Sequence, residues 1–396
     1  MSFKVSAQVI SEEGRAVNCR ICGGELKPFL SPAPFLSQIP ANVSFVYYAD
    51  ATGRFFASDG ENVYASGNGV TYSLLSALEG MPFSLEDISG GNARTLIISG
   101  KYAVAHDGNS FTAFEYGANL SCGVMHCGRL FGADADDGLT LRWSGEGGVR
   151  DWERGLYKSG YLKLDPELGI ILDLVEYGGR IVAVRRFGLT VFNMFGNAEN
   201  FAVASNIPVH CKIYGGTAKA AGNKLYFFTE CGLKEFDGAS ALEVKHVYAG
   251  ELHSPACAAA WDGKYFLSCG VKDGRAVFCY DGERAALIDA EADCMCSADR
   301  LYVFNSSGGF TLEEGGNYTY RSRELFFGTQ KYKTLCKLFI DGTADITVSN
   351  GRISRVFVGA RGVVRPRLRG KSFTFTVCGK GEVKSLIAEA EVLSEI

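Results

Sequence analysis

The sequence predicts an all-β protein: a β-propeller, seven-bladed by its repeat count, followed by a small C-terminal β-sandwich or added sheet. Three observations predict this fold: the composition, the near absence of helical periodicity and a repeated turn–strand unit. The 396 residues include 49 glycines and only 9 prolines, and aromatic residues make up 12%. Such a chain is typical of many short strands joined by tight turns. Only residues 74–80 have the spacing of a helical turn.

One unit recurs along the first three quarters of the chain. In each copy a turn containing glycine or aspartate is followed by a basic residue and an apolar, aromatic strand, as in GRFFASDG at 53–60. The glycine precedes the strand because a tight turn needs a positive φ angle there. The basic residues that mark the copies lie a mean of about 41 residues apart and are Arg54, Lys101, Arg129, Arg180, Lys224, Lys264 and Arg300.

Seven units of this length, each with three or four short strands, predict a seven-bladed propeller. The short spacing between Lys101 and Arg129 leaves six or eight blades as alternatives. Residues 43–316 are the predicted propeller, and residues 1–42 are expected to hold strands that close a blade or form a docking arm. Residues 317–396 lack the unit and contain six strand-like runs separated by DG, NG and GKG turns, which predicts a C-terminal β domain.

The C-terminal domain contains a basic stripe. Between residues 352 and 371 there is no acidic residue, although the whole chain has a net charge of −4. The stripe predicts either a hairpin whose arginines pair with carboxylates elsewhere in an assembly, or a site for an acidic protein surface or a nucleic-acid backbone. Its residues are Arg352, Arg355, Arg361, Arg365, Arg367, Arg369 and Lys371.

Charge and hydropathy restrict the classes of function. The mildly acidic total argues against nucleic acid or a membrane surface as the general partner. The first residues lack the apolar region of a signal peptide, and the longest apolar runs are too short to span a bilayer. Thirteen cysteines without export indicate free thiols in a reducing compartment. Cys269, Cys279 and Cys378 are expected to be small core residues.

The segment GADADDGLTLRW at 132–143 carries the most suggestive local motif. Its three aspartates, Asp134, Asp136 and Asp137, precede a glycine, as in part of a calcium loop or of the Asp box of sialidase-type propellers. A calcium loop needs one more residue before the glycine and a glutamate at its end, and neither is present. The Asp box has a serine where Asp134 stands. We therefore expect a turn with solvent-facing aspartates, in which Asp136 or Asp137 holds the turn backbone.

Other catalytic and metal-binding patterns are incomplete. Cys19 and Cys22 form half of a zinc ribbon, but no second pair with this spacing follows. The five histidines are scattered, and no phosphate-binding loop, dinucleotide motif or nucleophile elbow occurs. We expect no enzymatic activity, no cofactor and no metal. A carbohydrate-binding or glycosidase-like propeller, which would need two facing carboxylates, and a bacterial protein-interaction scaffold are the alternative functions.

Eight residues between positions 128 and 152 form one further pattern: Arg129, Phe131, Arg142, Trp143, Ser144, Gly145, Asp151 and Trp152. Together with residues 178–192 behind it, the pattern resembles a blade of tailed-phage virion propellers of the head-to-tail stabilisation and tail-hub type. The opening at 16–29 and the tail at 320–342 are similar to the corresponding segments of those proteins. The chain departs from them in its many cysteines and in the short spacing after Lys101.

The resemblance implies a non-catalytic structural protein of a phage or prophage virion, in the neck or tail. It implies other virion proteins as partners: portal, neck or tail components, with a homo-oligomer as a further assembly. Synthesis would take place in the host bacterial cytoplasm, and the final location would be the virion. The basic stripe would then be a docking element for an acidic neighbour.

Overall fold

Strands dominate the structure, a computed structural model that describes residues 3–35, 37–88, 93–146, 148–152, 159–306 and 308–392. Within these ranges the helical segments are two short 3-10 turns, Pro166–Leu168 and Ala198–Asn200. Residues 74–80, which have helical spacing in the sequence, lie mainly in the strand Ser73–Ala77 instead. The predicted all-β class is confirmed.

The strands are numbered in chain order. The first half comprises β1 (Phe3–Gln8), β2 (Arg15–Val17), β3 (Cys19–Cys22), β4 (Glu25–Pro28), β5 (Leu30–Phe35), β6 (Phe45–Ala49), β7 (Arg54–Ser58), β8 (Asn62–Ser66), β9 (Ser73–Ala77), β10 (Phe83–Asp87), β11 (Arg94–His106), β12 (Phe111–His126), β13 (Arg129–Asp134), β14 (Thr140–Trp143), β15 (Gly160–Lys163), β16 (Ile171–Tyr177), β17 (Arg180–Arg185) and β18 (Gly188–Asn193). The second half comprises β19 (Ala202–Pro208), β20 (Lys219–Ala221), β21 (Lys224–Thr229), β22 (Gly232–Phe236), β23 (Ala241–Glu243), β24 (His253–Trp261), β25 (Lys264–Val271), β26 (Gly274–Tyr280), β27 (Ala285–Ile288), β28 (Cys294–Ser297), β29 (Leu301–Asn305), β30 (Gly308–Glu314), β31 (Tyr318–Arg321), β32 (Lys333–Ser349), β33 (Ser354–Val364), β34 (Leu368–Gly370), β35 (Thr374–Gly379) and β36 (Val383–Val392).

The chain folds as two compact units. The propeller unit comprises residues 34–275 and 291–311, and the second unit comprises residues 1–33, 276–290 and 312–396. Among the described residues, five blade sheets form the propeller: β6–β9, β10–β15, β16–β19, β20–β23, and β28–β30 with β5. Neighbouring sheets contact one another in turn: β6 contacts β10, β12 contacts β16, and β16 contacts β20. The β24–β25 hairpin lies between β20 and β28, and β28 contacts β6. The described sheets therefore close into a ring.

Aromatic packing between blades holds the ring together. Where the last blade meets the first, Phe55 of β7 lies with its ring centroid 4.9 Å from that of Tyr302 in β29. Phe304 of β29 is buried in the same cluster. Each such buried aromatic side chain contributes roughly 1.5–3 kcal/mol to the free energy of unfolding. The contact joins residues about 250 positions apart, so closure depends on distant parts of the sequence.

The blade count differs from the seven that the repeat predicts. The units that begin at Lys101 and Arg129 share one six-stranded sheet, because β11 and β12 are long strands that run on through the expected boundary. The unit at Lys264 contributes the hairpin β24–β25 and no separate four-stranded sheet among the described residues. Five blade sheets remain among the described residues. The short 28-residue interval between Lys101 and Arg129 reflects the fact that these two units share one sheet.

The repeat unit marks the same structural position in five of its seven copies, whereas Lys101 lies inside β11 and Arg129 begins β13. In four of these five copies the basic residue is the first residue of a strand: β7, β17, β21 or β25. In the fifth copy it directly precedes β29. Of these strands, β7, β17, β21 and β29 are the second strand of a blade, and β25 belongs to the hairpin. The preceding glycine has the positive φ that the sequence predicts, for example 62° at Gly53 and 68° at Gly263. The turn residues therefore locate strands well, although they do not reveal which strands share a sheet.

In the second unit, an added sheet contains β26, β27, β2, β31, β35, β32, β36, β4 and β3 in that order. β1 pairs with β36, and both β33 and β34 pair with β32. Leu335, Ile346, Phe375 and Leu386 are among the fully buried residues of its core. Two of the six predicted runs, at 333–342 and 344–352, form the single strand β32, because Gly342 carries a bulge where the sequence suggests a turn.

Candidate interaction surface

The basic stripe follows β33, an outer strand of the second unit's sheet, together with the turn before it and the chain after it, and we call it the basic edge. Arg352 lies in the turn before β33, Arg355 and Arg361 lie on β33, and the remaining four cations follow as the chain passes through β34 to residue 371. All seven side chains are exposed. The structure thus brings the residues that the sequence singled out to one continuous segment at the border of a sheet.

Local sequence explains this placement. Asn350 accepts hydrogen bonds through Oδ1 from the N–H groups of Arg352 (2.9 Å) and Ile353 (2.8 Å), which closes the turn between β32 and β33. Gly351 supplies the positive φ of 86° that the turn requires. β33 then pairs antiparallel with β32 from Ser354 opposite Ser349 to Val364 opposite Leu338. Phe357, Ala360 and Val364 anchor β33 on the core of the unit.

The cations of the basic edge have no acidic partner in the described chain. The ion pairs of the described residues include none of the seven side chains (the neighbouring pair Lys337–Glu389 lies across β32 and β36). Arg369 and Lys371 lie 5.5 and 5.3 Å from the ring centroid of Tyr332, which is a cation–π geometry. A cluster of like charges without carboxylates sets up a positive potential that favours an acidic partner.

Exposed aliphatic side chains accompany the charges. On and beside β33, Ile353, Val356 and Val363 are 58, 63 and 46% exposed, and Val358 is 81% exposed. Val363 stands opposite Phe339 of β32, which is itself partly exposed and stands opposite Ile387 of β36. Single exposed apolar residues are ordinary, but a group of them on one outer strand is typical of an interaction site.

The virion-like pattern forms a different site, in the propeller unit. Arg129 is buried, and its guanidinium donates to the carbonyl oxygen of Ser144 at 2.9 Å. The Ser144 hydroxyl accepts from the N–H of Leu130 at 2.9 Å. These two bonds fasten the end of β14 to the start of β13. Arg129 and Ser144 therefore have a structural role that explains why this pair of residues occurs together.

Aromatic residues of the same pattern pack around that junction. The rings of Phe131 and Trp143 contact each other and both contact Phe201. The backbone N–H of Gly145 donates to the backbone carbonyl oxygen of Asp151 at 2.6 Å, and a Cβ at Gly145 would overlap the Asp151 carboxylate. The overlap shows why glycine is needed at position 145.

The two remaining members of the pattern, Trp152 and Arg142, lie beside the junction of β13 and β14. Trp152 donates through Nε1 to the carbonyl of Val149 at 2.8 Å and packs on Tyr116. Arg142 of β14 pairs with Asp134 of β13 through its Nε. The structure thus brings all eight pattern residues into one sheet and its following loop, where they hold the blade together.

The aspartates at 134–137 do not all face solvent, as the sequence suggested. Asp134 is buried, pairs with Arg142 and accepts from the N–H of Asp136 at 2.9 Å. Asp137 holds the turn backbone as expected, because its Oδ1 accepts from the N–H groups of Leu139 and Thr140 at 2.8 and 2.9 Å. The expectation of solvent exposure was therefore wrong for Asp134, and the role of Asp137 is confirmed.

Sequence reasoning missed that this turn recurs. Asp-Gly pairs occur at five turns with the same geometry: one aspartate oxygen accepts from the N–H groups two and three residues later, at 2.7–3.0 Å. The aspartates are Asp59, Asp107, Asp137, Asp237 and Asp281. The signal was present as a repeated DG dipeptide before a second strand. It is a structural motif of the turns.

Among the described residues, no group of three or more metal-binding side chains comes together. Burial raises the pKa of Cys19 to about 12, while the Cys22 sulfur accepts from Arg284. All thirteen cysteines are free; Cys269 and Cys279 are fully buried as predicted, whereas Cys378 is only partly buried. In the described ranges no helix has the length and apolar character needed to cross a membrane.

Comparisons with known proteins add the following findings. No protein-family model matches the sequence, and no curated protein matches it. Similar solved structures include a streptogramin B lyase (8% identity, TM-score 0.47, 72% of this chain and 98% of that chain). BBS1N in complex with ARL6DN (10%, 0.49, 72% and 96%) and the WD40 repeats of RRP9 (10%, 0.47, 72% and 97%) are others. At these identities and TM-scores nothing about activity passes from them to this chain.

Proposed function

We propose that this chain is a non-catalytic structural adaptor of a tailed-phage or prophage virion, which holds a neighbouring neck or tail protein through the basic edge. The observation that carries the proposal is the exposure of seven cations without a carboxylate partner in the described chain, next to exposed valines. An adaptor of this kind is made in the host bacterial cytoplasm and becomes part of the virion.

Two physical features support a binding role. Interfaces combine apolar contacts, which exclude water, with charges that steer the partner and fix its orientation. The basic edge offers both on an outer strand that the core of the second unit holds in place through Phe357 and Val364. Rigid β-sheets with short connecting turns suit a part that must transmit force between neighbours.

The virion setting rests on the sequence resemblance of residues 128–192 to propellers of phage necks and tails. In the structure the residues of that pattern are ones that hold a blade together, such as buried Arg129 and Ser144. A pattern with this structural cause is the kind that persists in a fold family when surfaces diverge. The pattern therefore supports a relationship between this blade and those of phage neck and tail propellers. The partner itself would be recognised by the basic edge.

The test is co-expression of the tagged chain with the portal, neck and tail proteins encoded in the same phage or prophage. We expect one of them to be captured at stoichiometric amounts, and the double substitution Arg361→Glu with Arg365→Glu to reduce the captured amount at least tenfold. The matched control is Lys380→Glu with Lys384→Glu, which inverts two exposed cations of the same sheet outside the basic edge.

A chain that stays monomeric and captures none of these proteins would contradict the adaptor function. If the control variant, Lys380→Glu with Lys384→Glu, lost capture to the same extent, binding would depend only on the net charge of the chain. That result would contradict the role of the basic edge. Circular dichroism of each variant establishes that the substitutions leave the fold intact, which is expected because all four side chains are exposed.

A further inference from the structure

We propose that the basic edge receives an extended acidic segment of its protein partner as an additional β-strand alongside β33. The inference rests on the proposed function and specifies how the partner is held. β33 has eleven residues and is an outer strand, since β32 is its pairing partner and no other described strand pairs with it. An open strand of this length is a template for pairing with another chain.

The backbone of β33 has groups available for such pairing. In an antiparallel pair, residues alternate between exchanging hydrogen bonds with the neighbouring strand and directing their N–H and C=O groups to the other side. Within the described chain, β33 forms backbone hydrogen bonds with β32 alone, and Gly359 donates to the Asp345 side chain of β32 at 2.7 Å. An added strand would supply partners for the outward groups.

The charges of the basic edge select the occupant. A second copy paired along the same edge would bring its own arginines against Arg355 and Arg361, and like charges on facing strands destabilise the pair. An acidic strand would bring carboxylates to the same positions. Arginine, with its planar set of donors, suits carboxylates especially well. The edge thus disfavours self-association and favours an acidic segment.

Exposed valines add the apolar part of the site. Val356, Arg361 and Val363 lie on the face of β33 that points away from the core, since Phe357 and Val364 on the other face pack on it. A strand added beside β33 would contact these side chains, so the segment that fits has both acidic and aliphatic residues on one face. A nucleic acid would neutralise the arginines but would leave the valines and the outward backbone groups without matching contacts.

The experiment uses the full chain and a synthetic probe: an eleven-residue peptide in which every second residue is in turn glutamate or valine and the residues between them are threonine, with blocked ends and a fluorescent label. Fluorescence anisotropy at low salt measures its affinity. The comparison probes are the same peptide N-methylated along its backbone, which keeps charge and side chains but removes the N–H donors, and a labelled DNA duplex. The protein variants are Arg361→Glu with Arg365→Glu, and the control pair Lys380→Glu with Lys384→Glu.

We expect the unmodified peptide to bind, with at least tenfold weaker binding after N-methylation and in the Arg361/Arg365 variant, and little change in the control pair. Amide hydrogen exchange should show new protection confined to β33. No binding, equal binding of the N-methylated peptide, tighter binding of the DNA duplex or protection away from β33 would each overturn strand addition. A negative result with the peptide would refute strand addition but not the adaptor function. The adaptor function is refuted only if the co-expressed virion proteins are not captured.

Discussion

Single aspartates close five turns of this protein in the same way. Asp59, Asp107, Asp137, Asp237 and Asp281 each accept two backbone N–H groups that the turn would otherwise leave without a partner. The backbone hydrogen bonds at Asp107, reinforced by the Ser110 hydroxyl, lower the pKa of its carboxyl to about 2. Such carboxylates stabilise the folded chain above their unfolded pKa, and this contribution is lost as the pH falls through the folded value.

Replacement of Asp137 tests this role. Asp137→Ala removes the acceptor for Leu139, Thr140 and the Thr140 hydroxyl, and should lower the free energy of unfolding by about 1–2 kcal/mol. Asp137→Asn should cost less than half as much, because the amide oxygen of Asn350 accepts the same two N–H groups at its own turn. Urea unfolding measures both; equal stability of the two variants would contradict the turn role.

His246 provides a pH test at the residue scale. Its Nδ1 accepts from the N–H of Tyr248 at 3.2 Å, and burial lowers its pKa to about 4. The unfolded histidine titrates near 6.5, so the unfolded chain binds the proton more readily between pH 6.5 and 4. The stabilising contribution is therefore complete above pH 6.5 and is lost as the pH falls through about 4.

We expect His246→Asn, whose amide oxygen replaces the Nδ1 acceptor without titrating, to lose less thermal stability than the natural chain between pH 7 and 4.5. Carboxylates contribute equally to both proteins over this interval, so the difference isolates the histidine. Parallel melting-temperature profiles would contradict the assignment.

At the scale of elements, β32 depends on one glycine. Gly342 has a φ of 129°, and a Cβ there would lie 2.6 Å from the carbonyl oxygen of Glu382 and 3.0 Å from the Cα of Val383. Both are backbone atoms of the approach to β36, which cannot move without disturbing the pairing. The glycine lets β32 continue through its bulge as one long strand.

Gly342→Ala should accordingly lower the free energy of unfolding by about 2–4 kcal/mol, through backbone strain and steric overlap. Gly381→Ala is the matched control, because nothing lies within 4 Å of a Cβ at that position. It should change stability by less than about 0.5 kcal/mol. Similar effects of the two substitutions in denaturant unfolding would show that β32 tolerates a side chain at its bulge.

Strand positions could be predicted from the sequence far better than sheet membership. The turn glycines and basic residues mark the starts of strands because backbone conformation is a local property. Whether β11 and β12 end at the expected blade boundary or continue through it depends on packing against distant strands. The local pattern at Lys101 and Arg129 carries no information about that packing. The same holds for Asp134, whose burial follows from its pairing with Arg142 across β13 and β14.

The candidate site shows the same limit. The excess of cations between residues 352 and 371 is visible in the sequence, whereas the absence of acidic partners in the described chain emerges only when the strands are placed. The exposed valines of β33 could not be predicted either, because in the sequence SRVFVGA they look like core residues. An apolar run on an open outer strand has no local signature.

On the scale of the whole molecule, the propeller unit has the features of a scaffold. Its blades are fastened by buried residues such as Arg129 and Phe304, and the ring is closed by the contact of Phe55 with Tyr302. In the second unit, the charged and apolar side chains of the basic edge are the ones that suit a partner. This division, with a rigid body and a separate binding strand, is what the adaptor proposal requires.

The most direct measurement is an electron cryomicroscopy map of the chain assembled with the neck and tail proteins of the same phage. We expect a neighbouring protein in contact with residues 352–371, with Arg361 and Arg365 facing its carboxylates. A map in which residues 352–371 face solvent, while the neighbour contacts the chain elsewhere, would contradict it.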